Sequence, residues 1–232
     1  MSARDRALMS ARDRATLFAA VVARYAGCGP AARHYVAGKL RRDPVHRAVL
    51  TLAAREAFGD VLDLGCGRGQ LGIALLLSGA ARSVRGLDAG AERLAQAARA
   101  GARLAFATEC RDLSGPDALP AADTVLIVDV LYQLETAAQV ALLEAAARAA
   151  RARVLVRTLD PDRGWRSTLT LGLERALRRI SPHSGAHVNP LPVGRLAGVL
   201  RAEGFTVDSV PCWDGTPFAN VLLMARRVPA PL

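Results

Sequence analysis

The stretch that most constrains this chain is Val61-Leu62-Asp63-Leu64-Gly65-Cys66-Gly67-Arg68-Gly69-Gln70. A short apolar run enters three alternating glycines, and the helical pattern Leu71–Ser78 follows. Apolar runs of this length bounded by glycine read as buried strands. Glycines at such a turn let the backbone approach a ligand that any Cβ would hold away. The spacing is GxGxG, with Gln70 where a dinucleotide-binding GxGxxG carries its last glycine. Asp63, just ahead of the turn, would repel a pyrophosphate. It suits a ligand that carries an ammonium group.

The same strand-then-helix alternation continues. Val84–Asp88, Leu104–Thr108, Thr124–Asp129 and Val154–Val156 read as further strands, with helices over Ala91–Ala100 and Ala137–Ala150. This order predicts a parallel sheet covered by helices on both faces. A helix over Val193–Glu203 stops at Gly204. The strands Phe205–Val210 and Phe218–Arg226 come next, joined by Pro211–Pro217 with its Asp214-Gly215 pair, and should pair as an antiparallel hairpin. Two segments fall outside the alternation. Residues 15–58 read as an N-terminal helical cap, with Asp43-Pro44 starting a helix that should run to Phe58 and stop at Gly59. Residues 1–14, which contain the near repeat MSARDRAL/MSARDRAT, are expected to be flexible. Residues 59–232 form the α/β domain, with a cap insertion at about 160–192. In that insertion Trp165, Leu169, Leu173, Leu177 and Ile180 share one helix face, expected to be either core or pocket wall.

Two acids fall where the next strands end. Asp88 can accept hydrogen bonds from both hydroxyls of a ribose. Asp112, in Cys110-Arg111-Asp112-Leu113, can accept from an exocyclic adenine amine. Open α/β sheets bind ligands at the carboxyl ends of their parallel strands. A ligand with an amino-acid end, a ribose and an adenine satisfies all three acids, and S-adenosylmethionine is such a ligand. Together with the glycine turn and the terminal hairpin, these residues resemble class I S-adenosylmethionine-dependent methyltransferases over about residues 58–227. The resemblance implies a Rossmann-like seven-stranded α/β sheet with an antiparallel last strand. It places Gly65, Gly67 and Gly69 under the methionine part of the donor, Asp88 on its ribose, and Asp112 and Leu113 near its adenine. Cys66 is counted with the donor-binding residues of the motif, as small packing and not as a nucleophile.

Asp129-Val130-Leu131-Tyr132 follows the fourth strand, where the resemblance places substrate chemistry as well as the donor. The Asn/Asp-Pro-Pro-Tyr/Phe signature of base-amine methyltransferases is missing there. Pro211-Cys212 lies in the terminal hairpin, the wrong place for a cytosine-C5 nucleophile. Arg157-Thr158-Leu159-Asp160 lacks the Asp/Asn ligand cluster of the metal-dependent enzymes, so no metal is expected. The acceptor is therefore read as a small molecule. Tyr132 would orient it, and His183 or His187 in the cap loop, or Asp129, would take its proton. His34 and His46 rank lower. GKLRRDPV, VDVLYQL and GTPFANVLL are further similar to small bacterial methyltransferases of aryl polyene pigment biosynthesis. That likeness implies an aromatic acceptor, either free or held on an acidic acyl carrier protein.

Charge provides the rival reading. The balance is 31 − 21 = +10, and Lys39 is the sole lysine, so 30 of the basic residues are arginine. Abundant arginine beside abundant alanine reads as the codon bias of a GC-rich genome. The charge is scattered, without a run of five. RNA methylation rests on this charge alone, and aromatic content of 4% leaves few platforms for exposed bases, so nucleic acid is not the expected partner. A cofactor-binding relative without catalysis is the other alternative. The four cysteines form no CxxC pair and fit a reducing cytoplasm, the N-terminus lacks a secretory apolar region, and no apolar run reaches the roughly 18 residues of a membrane span.

Overall fold

The computed structural model describes residues 9–115, 118–180 and 188–229. Seven strands form one sheet in the order β3-β2-β1-β4-β5-β7-β6: β1 (Gly59–Leu64), β2 (Ala81–Asp88), β3 (Phe106–Cys110), β4 (Ala122–Val128), β5 (Ala150–Leu159), β6 (Phe205–Pro211) and β7 (Asn220–Arg227). β2 runs parallel to β1 and β3, while β7 runs antiparallel to β5 and β6. This is the α/β sheet with a reversed last strand that the alternation and the terminal hairpin predict. The helices are α1 (Ala11–Ala23), α2 (Pro30–Arg42), α3 (Pro44–Arg55), α4 (Gln70–Leu77), α5 (Ala91–Ala100), α6 (Thr136–Ala149), α7 (Trp165–Ile180) and α8 (Val193–Ala202).

The chain packs as two units, Met1–Arg111 with Ala122–Thr124, and Asp112–Ala121 with Val125–Leu232. In the first, Val61, Leu62 and Leu64 of β1 are buried, as are Ile73 and Leu75 of α4 and Val84 and Leu87 of β2. In the second, Val125–Ile127 of β4, Leu142 and Leu143 of α6, and Val154–Val156 of β5 are buried. These near-continuous apolar runs are what a sheet buried on both faces requires.

Several boundaries differ from the sequence reading. α1 begins at Ala11, inside the segment expected to be flexible, because Ser10 caps it: Ser10 Oγ accepts from the Asp13 N–H at 3.1 Å. Residues 1–8 lie outside the described residues. Asp43 does cap α3, accepting from the Val45 N–H at 3.2 Å. That helix ends at Arg55 and not at Phe58. Phe58 is already sheet-like, fully buried and donating its N–H to the Ala80 carbonyl at 2.9 Å. Gly59 is not a helix stop but the first residue of β1. It has φ +63°, and a Cβ there would stand 2.2 Å from Asp123 Oδ2. β5 is much longer than its apolar centre, since it carries Arg151, Arg153 and Arg157 as well.

The α7 face also departs from the expectation of core. Trp165, Leu169 and Leu173 are 65%, 44% and 42% exposed, while Ser167 and Thr170 are buried at 3% each. The inner polar groups are bonded: Ser167 Oγ donates to the Asp160 carbonyl at 2.7 Å, and Thr170 Oγ1 accepts from the Ala219 N–H at 2.9 Å.

Candidate donor site and acceptor-side residues

The first unit assembles the glycine turn, Asp63 and Asp88. Gly65, Gly67 and Gly69 take φ of +75°, +56° and +75°, the left-handed region that strains other residues. The turn is tied to β2 by the N–H groups of Gly65 and Cys66, which both donate to the Leu87 carbonyl at 2.7 and 3.0 Å. At Gly67 nothing lies within 4 Å of where a Cβ would stand, so the backbone there borders open space. At Gly69 a Cβ would stand 2.7 Å from the Phe106 ring, so this glycine makes room for the core. Cys66 is buried against Gly86, and burial, with Asp63 and Asp88 nearby, pushes its thiol far up. It stays protonated and packs, as the sequence reading has it.

The two acids have different surroundings. Asp88 Oδ1 accepts from the Gly90 N–H at 2.7 Å and from Arg93 Nη2 and Nε at 2.6 and 3.2 Å. Its Oδ2 accepts from the Gly67 N–H at 2.9 Å, joining the strand-end acid to the glycine turn. Asp63 is just as buried, at 3% exposure, and its carboxylate makes no hydrogen bond or ion pair among the described residues. Burial, followed by the neighbouring Asp88 charge, pushes its carboxyl up to about 7. A buried carboxylate without a cation is costly, and an opposite charge brought against it restores the ionised form. The ammonium group of S-adenosylmethionine has that charge, and the open face at Gly67 gives its methionine part room. These residues therefore fit the donor.

The N-terminal helices reach the same turn. Tyr25, fully buried after α1, donates its hydroxyl to the Arg68 carbonyl at 2.5 Å, and burial holds that phenol far above its usual range. The Arg68 guanidinium lies 4.4 Å from the Tyr35 ring centre, and its Nε donates to Gln96 Oε1 at 2.8 Å. Arg93, Tyr25 and Tyr35 were missed by sequence reasoning. Arg93 had one signal, its place in the first turn of the helix that follows Asp88.

The second unit holds the remaining candidates. Asp112 is exposed and folded onto Ser114, accepting from its N–H at 2.9 Å and its hydroxyl at 2.8 Å. Those bonds hold its carboxyl below the usual range. Leu113 beside it is buried. Asp129 closes β4 with φ +60°, and its carboxylate pairs with the buried guanidinium of Arg157 from β5. Its N–H donates to the Arg157 carbonyl at 3.1 Å, so strand and side chain both fix it. Tyr132 is buried with Leu159 and Val188, and Leu171 of α7 packs against this group. His183 and His187 lie outside the described residues. His46 is buried and His34 exposed.

Residues 61–153 match the family model described as a methyltransferase domain. No curated protein sequence matches the chain. Among solved structures, the chain is similar to magnesium protoporphyrin IX methyltransferase from Synechocystis PCC 6803 with bound SAH. The TM-score is 0.59 at 20% identity, over 80% of this chain and 84% of that one. The N-methyltransferase NodS from Bradyrhizobium japonicum, also in complex with S-adenosyl-L-homocysteine, has a TM-score of 0.59 at 14% identity, over 80% and 86% of the two chains. A putative O-methyltransferase from Nostoc punctiforme reaches 0.65 at 16% identity, over 84% of this chain and 59% of the other. At these identities the shared feature is the fold.

Proposed function

We propose that this chain, whose residues 61–153 match a methyltransferase domain, is a class I S-adenosylmethionine-dependent methyltransferase that transfers a methyl group from that donor to a small-molecule acceptor. The observation that carries the reading is Asp63, a buried carboxylate without a counter-cation beside a left-handed glycine turn whose Gly67 faces open space. S-adenosylmethionine supplies an electrophilic methyl group on a sulfonium sulfur. Asp63 receives the donor's ammonium group, and Gly65, Gly67 and Gly69 let its methionine part lie against the backbone. Asp88 receives the ribose hydroxyls, for which Arg93 must give up part of its hold on Oδ1. Leu113 gives the adenine an apolar contact, and Asp112 accepts from its amine once released from Ser114.

On the acceptor side, Asp129 is fixed by Arg157 and orients polar groups, while Tyr132 forms part of an apolar wall. Orientation of the acceptor against the sulfonium supplies much of the rate, because methyl transfer needs no protein nucleophile. Where the acceptor is a phenol, His183 or His187 takes its proton. The N-terminal helices and the insertion at about 160–192 are the segments assigned to acceptor choice. No metal takes part.

The acceptor class rests on VDVLYQL, without the prolines of base-amine enzymes, and on the solved relatives, among them one named for magnesium protoporphyrin IX and another, the pyocyanin biosynthetic protein PhzM. An aromatic or carrier-bound intermediate of secondary metabolism, in the cytoplasm, is the specific form of this proposal. An acidic carrier protein would meet the net charge of +10 favourably. The same charge favours RNA as a second reading. The test is mass spectrometry of a cell extract incubated with the protein and methyl-labelled donor. Label in a low-mass aromatic compound or a carrier-bound thioester is the expected result. Label confined to RNA, or no label above a heat-killed control, overturns it.

A further inference from the structure

α7 is inverted relative to an ordinary surface helix. Its polar Ser167 and Thr170 are buried and bonded, and Leu171 turns to the Tyr132–Leu159–Val188 group. Its outer face presents Trp165, Leu169 and Leu173 at 65%, 44% and 42% exposure, spaced by four residues. Three large apolar groups in line along roughly 12 Å of helix are not an incidental exposure, because surface helices place such a stripe inward.

The stripe is bordered by a stack of arginine and tryptophan. The Arg166 guanidinium carbon lies 5.0 Å from the Trp165 ring centre and 5.1 Å from that of Trp213. That of Arg163 lies 5.5 Å from Trp213. Arg166 Nη1 donates to the Thr216 carbonyl at 3.0 Å, and Arg163 Nε donates to Asp160 Oδ2 at 2.6 Å, so both arginines are positioned. Between residues 160 and 180 the sequence has five arginines against three acids, Asp160, Asp162 and Glu174, and Asp160 is paired with Arg163. Trp165 and Trp213 are the chain's two tryptophans.

We propose that the outer face of α7, with the Arg163–Trp213–Arg166–Trp165 stack at its start, docks on an anionic lipid surface. Apolar stripe, tryptophan at the end and arginine at the border are the pattern of a helix lying in a membrane interface. The charge selects the occupant. A second copy would bring the same arginines against each other, whereas anionic headgroups match them. No described helix is long and apolar enough to cross a membrane, so contact is at the surface.

The full chain is mixed with vesicles of phosphatidylcholine alone, or with about one-third phosphatidylglycerol, and floated on a density gradient while tryptophan emission is recorded. Both tryptophans belong to the surface in question, so emission reports directly on it. Each basic residue near an anionic surface raises partition about fivefold, so anionic vesicles should be favoured at least tenfold. Emission should shift to the blue. Leu169→Gln with Leu173→Gln, both at exposed positions, should abolish the shift and most of the flotation while circular dichroism stays unchanged. Three results overturn the proposal. One is no partition onto anionic vesicles, and another is equal partition of the double variant. The third is a dimer in sedimentation that the double variant dissolves, which assigns the face to a second copy.

Discussion

Asp63→Asn should stabilise the unliganded protein at alkaline pH and, in the same substitution, destroy donor binding. The carboxyl is raised from 3.8 to about 7 by burial and by Asp88. An acid raised in the folded state favours folding fully below its unfolded value. That contribution is lost as pH rises through the folded value, so the wild type loses stability between about pH 4 and pH 7. Three units correspond to an upper bound of about 4 kcal/mol at pH 8. An asparagine amide left without partners returns about 1–3 kcal/mol of that. A net gain of about 1–3 kcal/mol at pH 8 is expected, which for a chain of this size is roughly 2–10 °C in Tm. At pH 5 only about a third of that loss has accrued, the cost of the unpartnered amide offsets it, and the gain disappears. Donor affinity moves the opposite way. Removing one partner of a buried ion pair costs about 3–5 kcal/mol, so affinity should fall at least a hundredfold. Urea unfolding at pH 5 and pH 8, with and without S-adenosylmethionine, measures both effects. A variant that gains no stability between pH 5 and pH 8, or that binds donor as wild type does, refutes the reasoning about Asp63.

Three further outcomes follow from the geometry. Gly101→Ala places a Cβ 2.4 Å from the Phe106 ring and should cost about 1–3 kcal/mol in urea unfolding, with Phe106→Leu restoring part of it in a double-mutant cycle. Arg157→Met breaks a buried pair with Asp129 and should cost about 3–5 kcal/mol, more than the exposed pair Arg148–Glu203, whose loss should stay below about 1 kcal/mol. Methyl transfer should persist in excess EDTA, and loss of activity that magnesium restores would contradict the metal-free mechanism.

The residues proposed to hold the donor were legible because each carries a local signal. Asp63 ends a buried apolar run, Gly65, Gly67 and Gly69 punctuate the turn, and Asp88 closes the next strand. These are properties of neighbours in sequence. The partners that complete the site are distant, or look like ordinary surface residues. Arg93 is one of 30 arginines in the chain, and only folding reveals that it grips Asp88. Arg157 read as the residue that follows a strand over Val154–Val156. In the fold the strand continues to Leu159 and the charge is neutralised by Asp129. Tyr25 is a core residue whose bond to the Arg68 carbonyl spans 43 residues. The core alternative for α7 fails for a different reason. Periodicity shows that Trp165, Leu169 and Leu173 share a face but not which way that face points. Here the polar bonds of Ser167 and Thr170 decide the direction. His183 and His187 lie outside the described residues, so proton removal from the acceptor rests on the sequence reading alone.

The central claim is that the glycine turn and its acids hold S-adenosylmethionine. Calorimetric titration of the purified chain with that donor tests it most directly, with Asp88→Ala titrated in parallel. Micromolar binding at pH 8 is expected for the wild type. Losing hydrogen bonds to a charged group should weaken the variant by about 1.5–3 kcal/mol, roughly 10- to 150-fold. Heats indistinguishable from dilution for the wild type, or equal affinity for the two proteins, would contradict the account.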